Sequence, residues 1–265
     1  MGILQPDRIG KQLGKSIFAK NIEYHQTLGS TNTRLKDLAI AGAPEGTIVI
    51  AEEQTAGRGR MGRQWLSPGS VNLLFSVLLR PVLEVEDVFS LTMAFALAAC
   101  EGVEHVSNLK ALIKWPNDIY LNEKKLGGVL TEFSVKDQQA EYVIIGIGLN
   151  VNWNPGREES VLYDSTSIKY ECGKDVDRQH LLVALLRVFE DYYNDIGVGK
   201  LRKTHEKWNQ KSMLLKRFVE VEFGDGLIRG TVIRIDKKGA LVIKDESGEE
   251  KRIRNGDVTV KKGIQ

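Results

Sequence analysis

Gly57-Arg58-Gly59-Arg60-Met61-Gly62-Arg63-Gln64-Trp65 is the stretch on which the reading of this chain turns. Its three glycines and three arginines alternate between two apolar runs, residues 47–51 and 72–79. Apolar runs of that length bounded by turn residues read as strands, so the stretch is a cationic loop hung between strands of a sheet. Glycine lets a backbone approach a ligand closely and aim successive N–H groups into one concavity. Guanidinium groups add charge-assisted, often bidentate bonds to phosphate or carboxylate oxygens. Trp65 adds a flat aromatic face. A solvated basic turn, or a patch gripping a nucleic-acid backbone, has the same composition. The neighbouring segments have to decide.

Upstream, residues 22–26 read as a strand, and Gly29-Ser30-Thr31-Asn32 offers N-cap residues to a helix carrying Leu35, Leu38 and Ala39 and ending near Gly42 and Pro44. The start of that helix would present N–H groups to an anion or polar ligand; simple capping by Ser30 and Thr31 is the plainer account. Before it, Ile9, Leu13 and Ile17 recur every four residues and predict one short amphipathic helix.

Downstream, residues 72–79 are apolar on both faces, as in the middle of a covered sheet. Residues 86–101 place Val88, Leu91, Phe95 and Ala98 at helical spacing against a core. Residues 109–115 form a strand running into Lys114-Trp115-Pro116-Asn117-Asp118, where proline bars further pairing and side chains leave the sheet. Residues 122–125 read as a hairpin turn, 127–133 resume the sheet, and 142–152 are a buried strand containing Gly146 and Gly148. Glycines there mean either a bulge or a pocket wall. Residues 153–174 read as a polar loop, 177–196 as a strong helix and 200–211 as a shorter one. From residue 218, short alternating runs separated by glycine turns predict a small β-barrel leaning on the main domain.

Composition narrows the function. The chain has 265 residues, 42% hydrophobic and 27% charged, enough for one large core and a small satellite domain. A net charge of +2 makes the basic character local, which argues against a general polyanion binder. No run is long and apolar enough for a membrane span or a signal peptide, and a cytoplasmic protein is expected. Cys100 and Cys172 lack paired spacing, and His25, His105, His180 and His205 lack ligand spacing, so no metal ligand is assigned.

Five segments in order, Ser30-Thr31-Asn32, residues 54–63, Lys114-Trp115-Pro116-Asn117-Asp118, residues 125–132 and Gly146-Ile147-Gly148-Leu149-Asn150, make the chain resemble the bacterial biotin protein ligases. The resemblance runs from about Tyr24 to Asn152, and the ending is similar to that family's SH3-like domain. It implies an α+β fold: a central mixed β-sheet with flanking helices, related to class II aminoacyl-tRNA synthetases, plus a small C-terminal SH3-like β-barrel. The expected divisions are a helical lead segment over 1–22, a catalytic domain over 23–214 and the SH3-like domain over 215–265. Many bacterial relatives begin with a winged-helix DNA-binding domain. Only the short Ile9–Ile17 helix precedes the catalytic part here, so the monofunctional form is expected, without specific DNA binding.

The implied chemistry is formation of biotinyl-5′-AMP from biotin and MgATP, then transfer to a lysine of a biotin carboxyl carrier protein of acetyl-CoA carboxylase or a related carboxylase. Bringing a carboxylate to an α-phosphate demands fixed positive charge. By analogy, Lys114, Arg58 and Arg60 are the catalytic residues, with Lys114 and Arg58 on the carboxylate and α-phosphate oxygens. Ser30, Thr31, Asn32 and Gln54 are assigned to the ureido end of biotin, and Arg58, Gly59, Arg60, Lys114 and Gly128 complete the biotin set. Gly146 and Gly148 would leave room for the biotin ring and tail. Arg60, Arg63, Trp65 and Asn150 are assigned to ATP and the adenylate, Trp65 by stacking on adenine, although a core tryptophan fits as well. Magnesium is expected on the ATP phosphates, with Asp118 the one candidate ligand, and the family's sheet-to-sheet dimers make a homodimer an expectation. A lipoate or other acyl-carrier ligase could use the same cations; the Ser30-Thr31-Asn32 and Gln54 set suits a ureido ring better than a dithiolane. A nucleic-acid-binding module is the alternative from another class.

Overall fold

A computed structural model of the chain describes residues 3–67, 69–154, 164–223 and 226–260. Seven strands form one sheet in the spatial order β1 (Ile22–Leu28), β2 (Ile48–Gln54), β3 (Leu73–Leu79), β7 (Gln139–Leu149), β6 (Lys124–Lys136), β5 (Asp118–Leu121), β4 (Ala111–Lys114). β1 and β2 run parallel and the other neighbours antiparallel, so the sheet is mixed. The parallel pair needs a crossover, and α2 (Thr31–Ile40) supplies it, capped by Ser30 Oγ, which accepts from the Thr33 N–H at 3.5 Å. The β5–β6 turn, Asn122-Glu123, has both residues at positive φ, as a two-residue hairpin turn requires.

Alternation divides the two faces of the sheet. Odd-numbered residues of β3 and β7, such as Phe75, Val77, Ile145 and Ile147, face the main core with α3 (Phe89–Ser107) and α5 (Arg178–Gly197). Phe95 of α3 links the layers, 5.9 Å from Phe75 on the sheet and 4.7 Å from Phe189 on α5 between ring centres. On the other face α2 lays Leu35 and Ala39 only over Val49, Leu78, Tyr142 and Ile144. The rest of that face is left to the functional site.

The elements depart from expectation in five places. β2 continues past Ala51 to Gln54, which buries Glu52 against Arg178 at the start of α5: Nη1 donates to Glu52 Oε2 at 2.6 Å and to the Asn72 carbonyl at 2.9 Å. Ile17 leaves the stripe of α1 (Pro6–Leu13), because the chain reverses at Gly14 (φ 67°) and Ile17 enters a 3-10 turn with 37% of its surface exposed. α3 starts at Phe89, since Val85–Asp87 make a 3-10 turn first. The polar segment 153–174 contains a one-turn helix, α4 (Ile168–Cys172), too short to show periodicity; residues 155–163 of it lie outside the described residues.

The fifth departure is the C-terminal barrel. After α6 (Arg202–Lys211), the strands β8 (Phe218–Phe223), β9 (Gly226–Ile235), β10 (Leu241–Asp245), β11 (Glu250–Ile253) and β12 (Asp257–Val260) form an antiparallel sheet ordered β11-β10-β9-β8-β12. This is consistent with an SH3-like domain, but the ladder is open. The edge strands β11 and β12 are four residues each and do not meet. β12 is a strand that sequence pattern alone does not announce, since so short a run after Asn255-Gly256 carries little alternation. The sheet leans on the main domain as expected: Trp115 Nε1 donates to the Gly239 carbonyl at 2.9 Å, and Asn209 Nδ2 to the Ile235 carbonyl at 3.2 Å. Among the described residues no helix is long and apolar enough to cross a membrane.

Candidate active site

One row of paired residues crosses the open part of the sheet: Lys114 on β4, Asp118 on β5, Gly128 on β6, Gly148 on β7 and Leu74 on β3. The adjoining row is Leu130, Gly146 and Ser76. Cross-strand partners face the same way, so three glycines floor a cavity of about 440 Å³. All the residues assigned to the site from sequence border it: Ser30, Thr31, Asn32, Gln54, Arg58, Gly59, Arg60, Arg63, Trp65, Lys114, Gly128, Gly146, Gly148 and Asn150.

At the α2 end the polar groups hold one another. The Thr31 N–H and hydroxyl both donate to Gln54 Oε1, at 2.7 and 3.1 Å. The Ser76 hydroxyl donates to Asn32 Oδ1 at 2.6 Å and lies 2.7 Å from Thr31 Oγ1. Asn32 Nδ2 donates to Glu132 Oε2 at 2.7 Å and to the Leu130 carbonyl at 3.3 Å. The expected free N–H groups at this helix start are thus already engaged at Thr31 and Thr33. The network fixes donors and acceptors in place, which is what a ligand needing both requires.

Gly146 and Gly148 do clear space, but for the protein's own side chains. A Cβ on Gly146 would fall 2.0 Å from Asn32 Oδ1, and one on Gly148 would fall 2.5 Å from the Trp65 indole. Trp65 therefore rests on the floor, its Nε1 buried and without a hydrogen-bond partner among the described residues. Asn150 is committed to the framework: Nδ2 donates to the Thr166 carbonyl at 3.1 Å, and Oδ1 accepts from Asn72 Nδ2 at 3.4 Å.

The glycine/arginine loop folds on itself. The Trp65 N–H donates to the Gly57 carbonyl at 3.0 Å and the Gly59 N–H to the Arg63 carbonyl at 2.7 Å. Its crest, Met61-Gly62, has positive φ, which glycine tolerates at the second position. Arg58 pairs with Glu132 at 3.0 Å and donates to Thr33 Oγ1 at 3.2 Å; Arg60 donates to Asn117 Oδ1 at 3.5 Å; Arg63 pairs with Asp257. Burial pushes the Arg60 guanidinium below its ordinary pKa, with Asp257 and Asp118 opposing. Lys114 is likewise lowered, chiefly by burial, with Asp118 opposing and Lys125 adding. Its Nζ lies 5.5 Å from the centre of the Tyr120 ring.

Sequence reading missed several residues of this wall. Lys125, taken as part of a hairpin turn, reaches the cavity with its Nζ 2.8 Å from Asp118 Oδ1 and 5.8 Å from the centre of the Trp65 ring. Simple alternation from Gly128 would send it to the opposite face. A register shift between Ile119 and Tyr120 brings Lys125 opposite Tyr120 instead, and no sequence signal announces that bulge. Asn117 is buried, its Nδ2 donating to the Val129 carbonyl at 2.5 Å. From the C-terminal sheet, Glu222, Asp257, Val258 and Thr259 also border the cavity.

Residues 24–150 match the Biotin/lipoate A/B protein ligase family. The bifunctional ligase/repressor BirA of Bacillus subtilis is 34% identical over 251 residues, covering 94% of this chain and 77% of the relative. A biotin-acetyl-CoA-carboxylase ligase of Mycobacterium tuberculosis is 32% identical over 240 residues, covering 87% of this chain and 85% of the relative. The structure of the Aquifex aeolicus biotin protein ligase in complex with biotin and ATP superposes with a TM-score of 0.80 at 32% identity, over 92% of this chain and all of that one. The order of the five segments, the mixed sheet with its glycine floor and these likenesses agree that the chain belongs to the biotin/lipoate A/B protein ligase family, among its biotin protein ligases.

Proposed function

We infer that the chain is an ATP-dependent biotin ligase. It joins biotin to ATP, giving biotinyl-5′-AMP and pyrophosphate, and passes the biotinyl group to a lysine of a biotin carboxyl carrier protein. The observation that carries this reading is one cavity whose chemistry changes along its length: hydrogen-bonding Thr31, Asn32 and Gln54 at one end, Arg60, Arg63, Lys114 and Lys125 at the other, and Arg58 beside the first, tied to Thr33 and to the same Glu132 oxygen as Asn32. A ureido ring presents a carbonyl acceptor and two N–H donors to the first end. A carboxylate and a triphosphate meet at the second.

In the first step a biotin carboxylate oxygen attacks the α-phosphorus, an O–P bond forms and pyrophosphate leaves. Both reactants are anionic, so the cations lower the barrier by bearing on charge that grows at phosphorus. We assign Lys125 to this task alongside Lys114 and Arg58. Lys125 reaches toward Trp65 near the middle of the floor, whereas Lys114 stands on the edge strand over Tyr120. Trp65 offers its face to the adenine, and Arg60 and Arg63 face the phosphates. Of the cavity's carboxylates, Asp118 and Asp257 are already paired with Lys125 and Arg63 and Glu222 is exposed on the C-terminal sheet, so magnesium enters as MgATP, held mainly by the nucleotide. In the second step the carrier amine attacks the acyl carbon, a C–N bond forms and AMP departs with the bonding pair. Exclusion of water by the folded loop protects the adenylate until then.

ATP–pyrophosphate exchange run with biotin, lipoate, octanoate and no acid tests the reading. Exchange with biotin alone is expected; exchange with lipoate in its place would make the chain a lipoate ligase. We also propose a cytoplasmic homodimer joined through β6. β5 pairs with that strand only as far as Gly128, and beyond it Phe133 and Val135 are 42% and 51% exposed. Light scattering at micromolar concentration would return a monomer mass if this is wrong.

A further inference from the structure

Each arginine of the Gly57–Trp65 loop is held by a different part of the molecule. Glu132 of β6 takes Arg58, and Asn117 takes Arg60. Asp257, first residue of β12, takes Arg63 from across the cavity. Asp257 is the brace that comes from outside the catalytic sheet. Its charge also bears on Arg60 and Lys114, opposing the effect of burial on both. The C-terminal sheet is fixed relative to the site from a second side, where Trp115, next to Lys114, donates from Nε1 to the Gly239 carbonyl at 2.9 Å.

Cations crowded around one cavity repel each other, and in partly buried surroundings that repulsion is poorly screened. A loop carrying three of them would splay unless something negative held it. A phosphate could serve, but only once bound. We propose that Asp257 is a positioning residue for the nucleotide end of the site: it holds Arg63 and offsets the repulsion among Arg60, Arg63 and Lys114, so the cations stand assembled before ATP arrives. Preorganised charge of this kind costs no rearrangement at the moment of reaction. The opposite role is chemically available, since a carboxylate on this wall could instead compete with phosphate for Arg63.

The inference rests on the biotin-ligase reading, and the test separates the two. ATP–pyrophosphate exchange with biotin is measured for the wild type, Asp257→Asn, Asp257→Glu, Arg63→Ala and the Asp257→Asn/Arg63→Ala double variant, each with its thermal melt. Asp257→Asn is expected to raise the KM for ATP about tenfold, within the range of coupling between contacting residues. The KM for biotin and the melt should stay close to wild type, and Asp257→Glu should recover most of the loss. In the Arg63→Ala background Asp257→Asn should add little, because its main route of action is gone. A lower KM for ATP in Asp257→Asn would make Asp257 a competitor and overturn the proposal. An equal effect in the Arg63→Ala background would also overturn it. Absence of exchange in the folded wild type sinks the functional reading along with it, whereas wild-type exchange with an indistinguishable Asp257→Asn sinks the proposal alone.

Discussion

The Trp65 indole lies on Gly148 so closely that a Cβ at that position would stand 2.5 Å from its Nε1. A sequence 83 residues apart is thereby locked into one surface, half loop and half sheet. Gly148→Ala must push the ring away or distort β7, and overpacking of this kind typically costs about 1–3 kcal/mol. We expect a lower melting temperature and a raised KM for ATP, with the KM for biotin less affected. A variant that melts like wild type would mean that the ring moves aside freely and that the seat on Gly148 does not position it.

Gly146→Ala makes the complementary prediction. Its Cβ would collide with Asn32 Oδ1 and crowd Ser76 Oγ, at 2.0 and 2.9 Å, so the polar end of the cavity must rearrange. The KM for biotin should rise by about an order of magnitude or more, since a buried donor or acceptor left unpaired costs about 1–3 kcal/mol. Initial rates against biotin at saturating ATP read this out. A rise confined to the KM for ATP would reassign that end of the cavity.

Much of this site was legible because its chemistry is local. Alternating glycine and arginine, Ser30-Thr31-Asn32 before a helix, and Lys114 ahead of a proline each announce themselves within a few residues. The misses needed long-range geometry. Lys125 faces the cavity only through the β5–β6 register shift, and Asp257 arrives from a strand too short to pattern. The apolar run that ends at Ala51 gives no sign that the strand goes on through Glu52, because nothing near Glu52 in sequence shows that Arg178 will be its partner. Gly146 and Gly148 are expected from sequence to leave room for biotin, whereas the space they leave holds Asn32 and Trp65, a placement that only the register of the strands reveals.

The two lysines should differ in charge behaviour as well as in place. Lys125→Ala and Lys114→Ala are each expected to lower adenylate formation, by about two orders of magnitude for the one bearing directly on the reacting oxygens. We expect that to be Lys125. Burial sets the Lys114 pKa below its ordinary 10.5, so its charge, and any activity depending on it, is lost as pH rises through that lowered value. Stability moves the other way: between the lowered folded value and the unfolded value the unfolded chain binds the extra proton, so this group's contribution to stability rises with pH. Lys114→Arg, charged throughout, should shift the alkaline limb of the exchange rate upward. An unmoved limb would remove Lys114 from the reaction.

We propose that Arg60 guards the intermediate. It is half-buried among the cavity walls and has one weak brace among the described residues, the 3.5 Å bond to Asn117 Oδ1, so its place depends on what occupies the cavity. Arg60→Gly removes that wall and loosens the loop together. We expect adenylate to escape and acylate lysines of bystander proteins, read by streptavidin blotting of a mixture containing serum albumin. Labelling restricted to the carrier would show that retention lies elsewhere.

The Glu52–Arg178 pair predicts the largest change in stability. Both side chains are buried, and the geometry is bidentate: 2.6 Å from Nη1 to Oε2 and 3.2 Å from Nη2 to Oε1. The carboxylate also accepts from the Tyr24 hydroxyl at 3.3 Å, and the guanidinium donates to the Asn72 carbonyl at 2.9 Å, so β1, β2, β3 and α5 meet there. Removing one partner strands the other charge in the core, which costs about 3–5 kcal/mol, whereas removing both relieves the stranded charge. Arg178→Ala should therefore unfold at a much lower urea concentration than wild type, and Glu52→Gln/Arg178→Met should regain a large part of the difference. Because β2 carries Gln54 into the polar end of the cavity, the single variant should also bind biotin more weakly while still folded. Equal destabilisation in the single and double variants would mean that packing, not the stranded carboxylate, sets the cost.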